Sequence, residues 1–425
     1  MNYTRMSQSE LLAEKEQLAD SYKKICSEKL SLDMSRGKPE KTQLELSESM
    51  LTAISKNSDC FTENGTDCRN YGLVDGIEEA KKLFGDILGV SPEKVVVGGN
   101  SSLNLMYDQV VRCMLYGVCS GAKPWVKNDK NKFLCPVPGY DRHFGICESL
   151  GIEMINVPMT EQGPDMDVIE DYVKDSDVRG IWCIPKYSNP DGTVYSDETV
   201  RRFARLTPAS SDFRIFWDNA YCIHDLYDES PEILNIVDEC EKAGNPDMVY
   251  VFASTSKISY PGSGVSVMAS SAENIAYIKS IMQYQTIGHD KMNMLRHVRY
   301  FENADGVREY MKKHAQILRP KFEMVVNTLE KELSECGIAE WSNPRGGYFV
   351  SLNVMPGCAK RTVELCAEAG VKLTDAGATF PYGIDPDDKN IRIAPSFPSV
   401  SELKDAMRVL CVCIKLAAAE KLLEK

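Results

Sequence analysis

Three observations predict an α/β fold with a mainly parallel sheet in a large domain, helices on both of its faces, and a smaller α+β domain beside it. Short β-branched or aromatic runs recur at Lys94 to Val97, Gly180 to Ile184, Arg214 to Trp217 and Met248 to Ala253. Stretches with helical spacing, such as Gly76 to Leu88, alternate with them, which is the pattern of strands joined by helical crossovers. The residues after each run also carry polar chemistry: Gly98-Gly99-Asn100-Ser101-Ser102, then Tyr187-Ser188-Asn189-Pro190, then Asp218-Asn219-Ala220-Tyr221, then Ser254-Thr255-Ser256-Lys257. In such sheets ligands bind beyond the carboxyl ends of the strands.

Taken in order, residues Ser7 to Leu30 carry Leu and Ile at helical spacing among charges and predict a helix that ends before the turn-like Ser35-Arg36-Gly37-Lys38-Pro39. The sheet-forming region follows from Tyr71. After a charged helical stretch ending near Lys321, the last hundred residues or so read as an α+β segment with Gly346-Gly347-Tyr348-Phe349 and Arg392 as landmarks. Leu403 to Leu423 is the most apolar long segment, but Lys404, Asp405, Arg408, Lys415 and Glu420 interrupt it. It reads as an amphipathic surface helix and not a membrane span.

A chain of 425 residues is too long for one ordinary core. Its 43% hydrophobic and 26% charged residues exclude a disordered or fibrous protein. A net charge of -13 argues against a nucleic-acid surface, which needs clustered Lys and Arg. The fifteen cysteines are scattered, odd in number and without a CxxC pair, so reduced thiols, a cytoplasmic location and no metal are expected. The first residues, Met1 to Arg5 and a Glu/Lys/Gln-rich stretch, hold no apolar signal-peptide core.

Lys257 follows a hydroxyl-rich strand end, where a lysine of lowered pKa can form a Schiff base. Taken alone, it would be read as one more solvated lysine. Asp218 follows an apolar run and would be partly buried, where a carboxylate needs a cationic partner such as a protonated pyridine nitrogen. A turn-capping Asp is the plainer reading. Glycines followed by Asn100, Ser101 and Ser102 at a helix start suit a phosphate, although an ordinary N-cap explains them too. Ser254 and Ser256 add hydroxyl donors.

In this order the motifs resemble the fold-type I PLP-dependent enzymes, and the chain as a whole resembles their aspartate aminotransferases, in the subgroup grouped with MocR-like aminotransferase sequences. The strings that carry the resemblance are SRGKPE, RNYG, VGGNSSLNLM, CPVPGYDRHF, YSNPDG, FWDNAY, STSK, TIGHDK, RGGYFVSL and IRIAPSFP. The resemblance implies pyridoxal 5'-phosphate as cofactor and a small domain made of residues 1–60 and 316–425 around a large one of 61–315. It implies that Lys257 bonds the cofactor, that Asp218 partners its ring nitrogen, and that Asn189 and Tyr221 bond its phenolic oxygen. Tyr140 would stack on one ring face and Ala220 on the other. Arg392 would clamp the substrate α-carboxylate, with Gly37 approaching the same group. Tyr71 would reach the phosphate of a neighbouring subunit, making a homodimer with shared sites.

One departure stands out. Many relatives carry a phosphate-pairing arginine shortly after the lysine, and here the string is Pro261-Gly262-Ser263-Gly264-Val265. Hydroxyls and backbone amides would have to suffice, or Lys291 or Arg296 of either subunit would substitute. An acidic substrate also needs a cation for its distal carboxylate, for which Arg36, Lys38, Lys291 and Arg345 are candidates. The expected reaction is ping-pong amino transfer between aspartate or glutamate and 2-oxoglutarate or oxaloacetate. Its alternatives are transfer from 2-aminoadipate or aromatic amino acids, a β-lyase or decarboxylase on the same scaffold, and a non-enzymatic PLP-binding regulator. The chain lacks the GxGxxG of a dinucleotide site.

Overall fold

Continuous apolar runs suit strands that are covered on both faces, and the central sheet is built from them in the computed structural model, which describes residues 2–424. Its eight strands lie in the spatial order Val95–Val97, Ser266–Ala269, Val249–Ser254, Arg214–Asp218, Val178–Cys183, Lys132–Val137, Glu153–Thr160 and Gly163–Pro164. The five from Val249–Ser254 to Glu153–Thr160 pair in parallel, while Ser266–Ala269 is antiparallel to both of its neighbours. Alternate residues feed two cores: Val95, Val97, Ile215, Trp217 and Val251 on one face, Val96, Phe216, Tyr250, Phe252 and Met268 on the other. The expected α/β class with a mainly parallel sheet is what forms.

Two parallel strands were absent from the sequence reading. Lys132–Val137 contains Pro136, a residue that argues against a central strand. Glu153–Thr160 buries only Met154 and Val157 and contains Pro158, so it forms neither an apolar run nor a strict alternation.

The N-terminal helix runs Gln8–Ser27, and Ser7 caps it in a capping box with Glu10, a device that stabilises a helix start by about 1 kcal/mol. It packs with helices Ala304–Leu333, Ala359–Glu368 and Val400–Leu423 in a core apart from the sheet. A three-stranded antiparallel sheet of Ala339–Trp341, Val350–Val354 and Asn390–Ile393 completes this layer. Leu32–Asp33 ties the N-terminal segment to Val371–Lys372 as a parallel pair.

The long helix Ala304–Leu333 continues past the expected stop near Lys321 and contains Pro320. Its first half packs with Met50 and Phe301, and from Leu318 onward it joins the core of the terminal segments. Val400–Leu423 is not a surface helix: half of its 24 residues are buried. Helices on several sides enclose it, and small residues such as Ala417, Ala418 and Ala419 are covered. Among the described residues, no helix is long and apolar enough to cross a membrane.

Candidate cofactor and substrate site

The strand ends converge as the topology requires. Asp218 ends one central strand, Ser254 ends its parallel neighbour, and Lys257 lies in the turn beyond. They line a cavity of about 620 Å³ together with Ser101, Ser102, Tyr140, Asn189, Ala220, Tyr221 and Ser256. A second, outer cavity of about 1170 Å³ shares Tyr140, Asn189, Tyr221 and Lys257 with the first and adds Gly37 and Arg392. Lys257 therefore stands between an inner and an outer chamber.

Asp218 is buried, and its Oδ2 lies 3.0 Å from His143 Nε2. His143 in turn stacks on Trp182 with ring centroids 4.4 Å apart. The other oxygen, Oδ1, is buried without a hydrogen-bond partner. A buried acceptor left unpaired costs about 1–3 kcal/mol, so this carboxylate is built to receive a donor from the cavity, and a protonated ring nitrogen fits.

The Lys257 Nζ lies 4.9 Å from the centre of the Tyr221 ring. Burial holds its pKa below the ordinary lysine value, Asp218 opposes that shift, and Arg392 adds to it. The lysine backbone is anchored from below: Tyr348 Oη donates to its carbonyl at 3.3 Å. Gln43 Nε2 donates to Tyr348 Oη at 3.1 Å and lies 3.0 Å from His314 Nδ1. Burial raises the Tyr221 phenol well above its usual pKa and that of Tyr140 to about 12, with Asp218 second among the causes for Tyr140. Both phenols stay protonated, and Tyr221 can donate to an anionic oxygen.

At the far end of the inner cavity begins the helix Ser102–Tyr116, with Ser101 as an extended N-cap that makes no side-chain capping bond. Its first amides are left for an anion. Ser254 Oγ donates to Ser256 Oγ at 3.1 Å beside them. Asn100 is placed differently from its neighbours: its side chain donates to the Pro261 carbonyl at 3.2 Å, and its own carbonyl accepts from Ser256 Oγ. Among the described residues that line this cavity, Lys257 is the one basic side chain. Lys291 Nζ donates to the Gly72 carbonyl at 3.0 Å and Arg296 to Ser263 Oγ at 2.6 Å, so neither reaches the cavity of its own chain. Tyr71 is 84% exposed and lines a different surface cavity together with Lys291.

Arg392, on the strand Asn390–Ile393, is buried, with Nη1 2.8 Å from Asp141 Oδ1 and Nη2 3.4 Å from Thr374 Oγ1. Its guanidinium lies 4.9 Å from the centre of the Phe349 ring. Gly37 is required by that ring, because a Cβ there would stand 2.6 Å from Phe349 Cζ. Of the four cations considered for a distal carboxylate, Arg36 and Lys38 line the outer cavity. Arg345 instead covers the Tyr227 ring at 4.0 Å, and Lys291 lies elsewhere as described.

Sequence reasoning missed His143, Asp141, Arg142 and Lys372. His143 was within reach, since it follows Tyr140 by three residues at the start of helix Asp141–Ser149, a spacing that sets both on one side. Lys372 carried no signal, for only the pairing of Val371–Lys372 with Leu32–Asp33 brings it to the cavity.

Comparison with known proteins agrees with this geometry. The aspartate amino-transferase family model matches residues 6–425. An aspartate aminotransferase of Corynebacterium glutamicum is 46% identical over 405 residues, covering 95% of this chain and 94% of that protein. The crystal structure of an aspartate transaminase from the same organism superposes with a TM-score of 0.96 at 44% identity, covering 99% of both chains. The α-aminoadipate aminotransferase LysN of Thermus thermophilus, solved with N-(5'-phosphopyridoxyl)-L-leucine, shares the fold at a TM-score of 0.74 and 19% identity over 92% of this chain and 93% of that one. The chain belongs to the aspartate aminotransferase family, and its cofactor is pyridoxal phosphate.

Proposed function

We propose that this transaminase takes dicarboxylic substrates, moving the amino group between aspartate or glutamate and 2-oxoglutarate or oxaloacetate. The observation that carries the substrate class is the charge of the outer cavity: Arg36, Lys38, Arg142, Lys372 and Arg392 line it against only Asp141 and Asp375. A wall of that sign favours a ligand with two carboxylates. The Corynebacterium relative named aspartate aminotransferase supports the same reading.

Pyridoxal phosphate supplies an aldehyde and a ring able to accept an electron pair from the substrate α-carbon. Lys257 would hold it covalently, and its amine, when free, would be the base that takes the proton from the substrate α-carbon. Burial, which lowers the Lys257 pKa, keeps a larger share of the amine neutral for that task. Asp218 would keep a ring nitrogen protonated through its partnerless Oδ1, with its other oxygen fixed by His143. Asn189 and Tyr221 would donate to its ring oxygen, and Tyr140 and Ala220 would flank the ring, since all four line the inner cavity. The amides at Ser101 and Ser102 with the Ser254 and Ser256 hydroxyls would hold the phosphate, and Asn100 would contribute through its backbone.

Arg392 grips the α-carboxylate in a planar fork, with the Gly37 backbone beside it. Arg36, Lys38, Arg142 and Lys372 face the distal carboxylate. Tyr71 belongs to the site of a second copy in a homodimer, and Lys291, which shares its surface cavity, comes with it. On this reading residues 61–315 form the large domain, 1–60 with 316–425 the small one, and the protein works in the cytoplasm.

Borohydride reduction followed by peptide mass spectrometry is expected to find a pyridoxyl adduct on Lys257. A panel of amino donors with 2-oxoglutarate or oxaloacetate should give the highest kcat/KM with aspartate or glutamate. Preference for 2-aminoadipate or aromatic donors, or release of ammonia or carbon dioxide without amino transfer, refutes the assignment.

A further inference from the structure

The guanidinium that would receive the substrate already holds a carboxylate. Arg392 Nη1 donates to Asp141 Oδ1 at 2.8 Å and lies 3.4 Å from Asn189 Oδ1. Its Nε is buried with no partner. The arginine side chain is 6% exposed, whereas that of Asp141 is 33% exposed, at the lip of the outer cavity. The other oxygen of Asp141 faces a second cation, with Oδ2 4.0 Å from Arg142 Nε. One carboxylate thus lies between two guanidinium groups, one buried and one largely in solvent.

We propose that Asp141 is an internal stand-in for the substrate carboxylate: it neutralises and orients Arg392 in the open site and is displaced when a ligand carboxylate arrives. This rests on the reading of Arg392 as the α-carboxylate clamp. A two-pronged grip needs two N–H groups of the fork on one ligand, and Asp141 occupies part of that face. A buried arginine without a counter-charge is costly, which gives the stand-in its role between turnovers. When displaced, Asp141 keeps Arg142 and water as partners, so the exchange strands no charge. Each carboxylate ligand then binds against an internal competitor, and its apparent affinity falls by the fraction of time Arg392 is held. Asp141 is a positioning residue that raises the KM for every carboxylate substrate.

The test uses the PLP-loaded protein and succinate, a dicarboxylate with no amine, with binding followed by calorimetry. Asp141→Asn keeps the shape and removes the charge. It is expected to tighten succinate binding by about three- to tenfold, the scale of a partly exposed charged hydrogen bond. It should also lower the KM values of the amino acid and the oxo acid together without raising kcat. Unchanged or weaker succinate binding by Asp141→Asn overturns the proposal, because a residue that only orients Arg392 would weaken binding when altered. Arg392→Lys separates the two readings. It should lose most of the succinate affinity, and if it does not, the clamp assignment itself is wrong. If the Asn variant fails to load cofactor, Asp141→Ser provides the same comparison.

Discussion

Asp218→Asn should move the apoprotein and the PLP-loaded protein in opposite directions. Asp218 Oδ2 is already satisfied by His143 at 3.0 Å, whereas Oδ1 is buried with no partner. An asparagine can keep its oxygen toward His143 and turn its amide toward the cavity, which replaces a buried carboxylate oxygen that has no partner by a neutral amide of lower burial cost. That relief is worth about 1–3 kcal/mol, so the apoprotein should unfold at equal or higher urea concentration than wild type. In the loaded protein, on the proposed role of Asp218, the same change would remove a charge-assisted bond to the ring nitrogen, worth about 1.5–3 kcal/mol. Stabilisation by cofactor should therefore shrink by roughly the sum, about 2.5–6 kcal/mol, and kcat should fall with it. Urea titrations of both forms, each with and without saturating PLP, measure the difference. If the substitution destabilises the apoprotein as much as the loaded protein, Asp218 is satisfied by the protein alone and the argument from its orphaned oxygen fails.

The buried Lys257 amine should leave a mark on the pH dependence of the apoprotein. Its folded pKa lies below the ordinary 10.5, so between the two values the unfolded chain binds more protons and stability rises with pH. In Lys257→Met that rise should be flatter, as read from urea midpoints at several pH values between the depressed pKa and 10.5. Gly37→Ala should push on the Phe349 ring, which a Cβ would approach to 2.6 Å. Because that ring flanks Arg392 at 4.9 Å, the expected result is a higher KM with a stability loss of about 1–3 kcal/mol. A KM unchanged within error would disconnect the loop from the clamp.

The strand ends were legible because two local rules agree there. Apolar runs such as Arg214–Asp218 and Val249–Ser254 could only be covered strands, and the polar residues that follow them had to lie at one edge of a parallel sheet. Asp218, Ala220, Tyr221, Ser254, Ser256 and Lys257 therefore needed no tertiary information to be grouped, and they do line one cavity. Lys132–Val137 and Glu153–Thr160 are not legible as strands because each carries a proline, and the second shows neither an apolar run nor strict alternation. Val400–Leu423 was misjudged for a related reason: charges along a helix show that one strip meets water, but not how many other helices surround the rest.

Sequence alone thus determined the α/β class and the family and grouped the residues that line the inner cavity, since each depends on local periodicity or on strings of adjacent residues. Tertiary structure alone decided which cations line the outer cavity. Arg36 and Lys38 stand at the cavity with Arg142, Lys372 and Arg392, while Arg345 and Lys291 are turned to other partners. It also decided that Arg392 meets Asp141 across 251 positions of chain. A charge carries no local signature of its partner, because Coulomb attraction depends on distance in space and on the burial that strips water away. Neither quantity exists until the chain has folded.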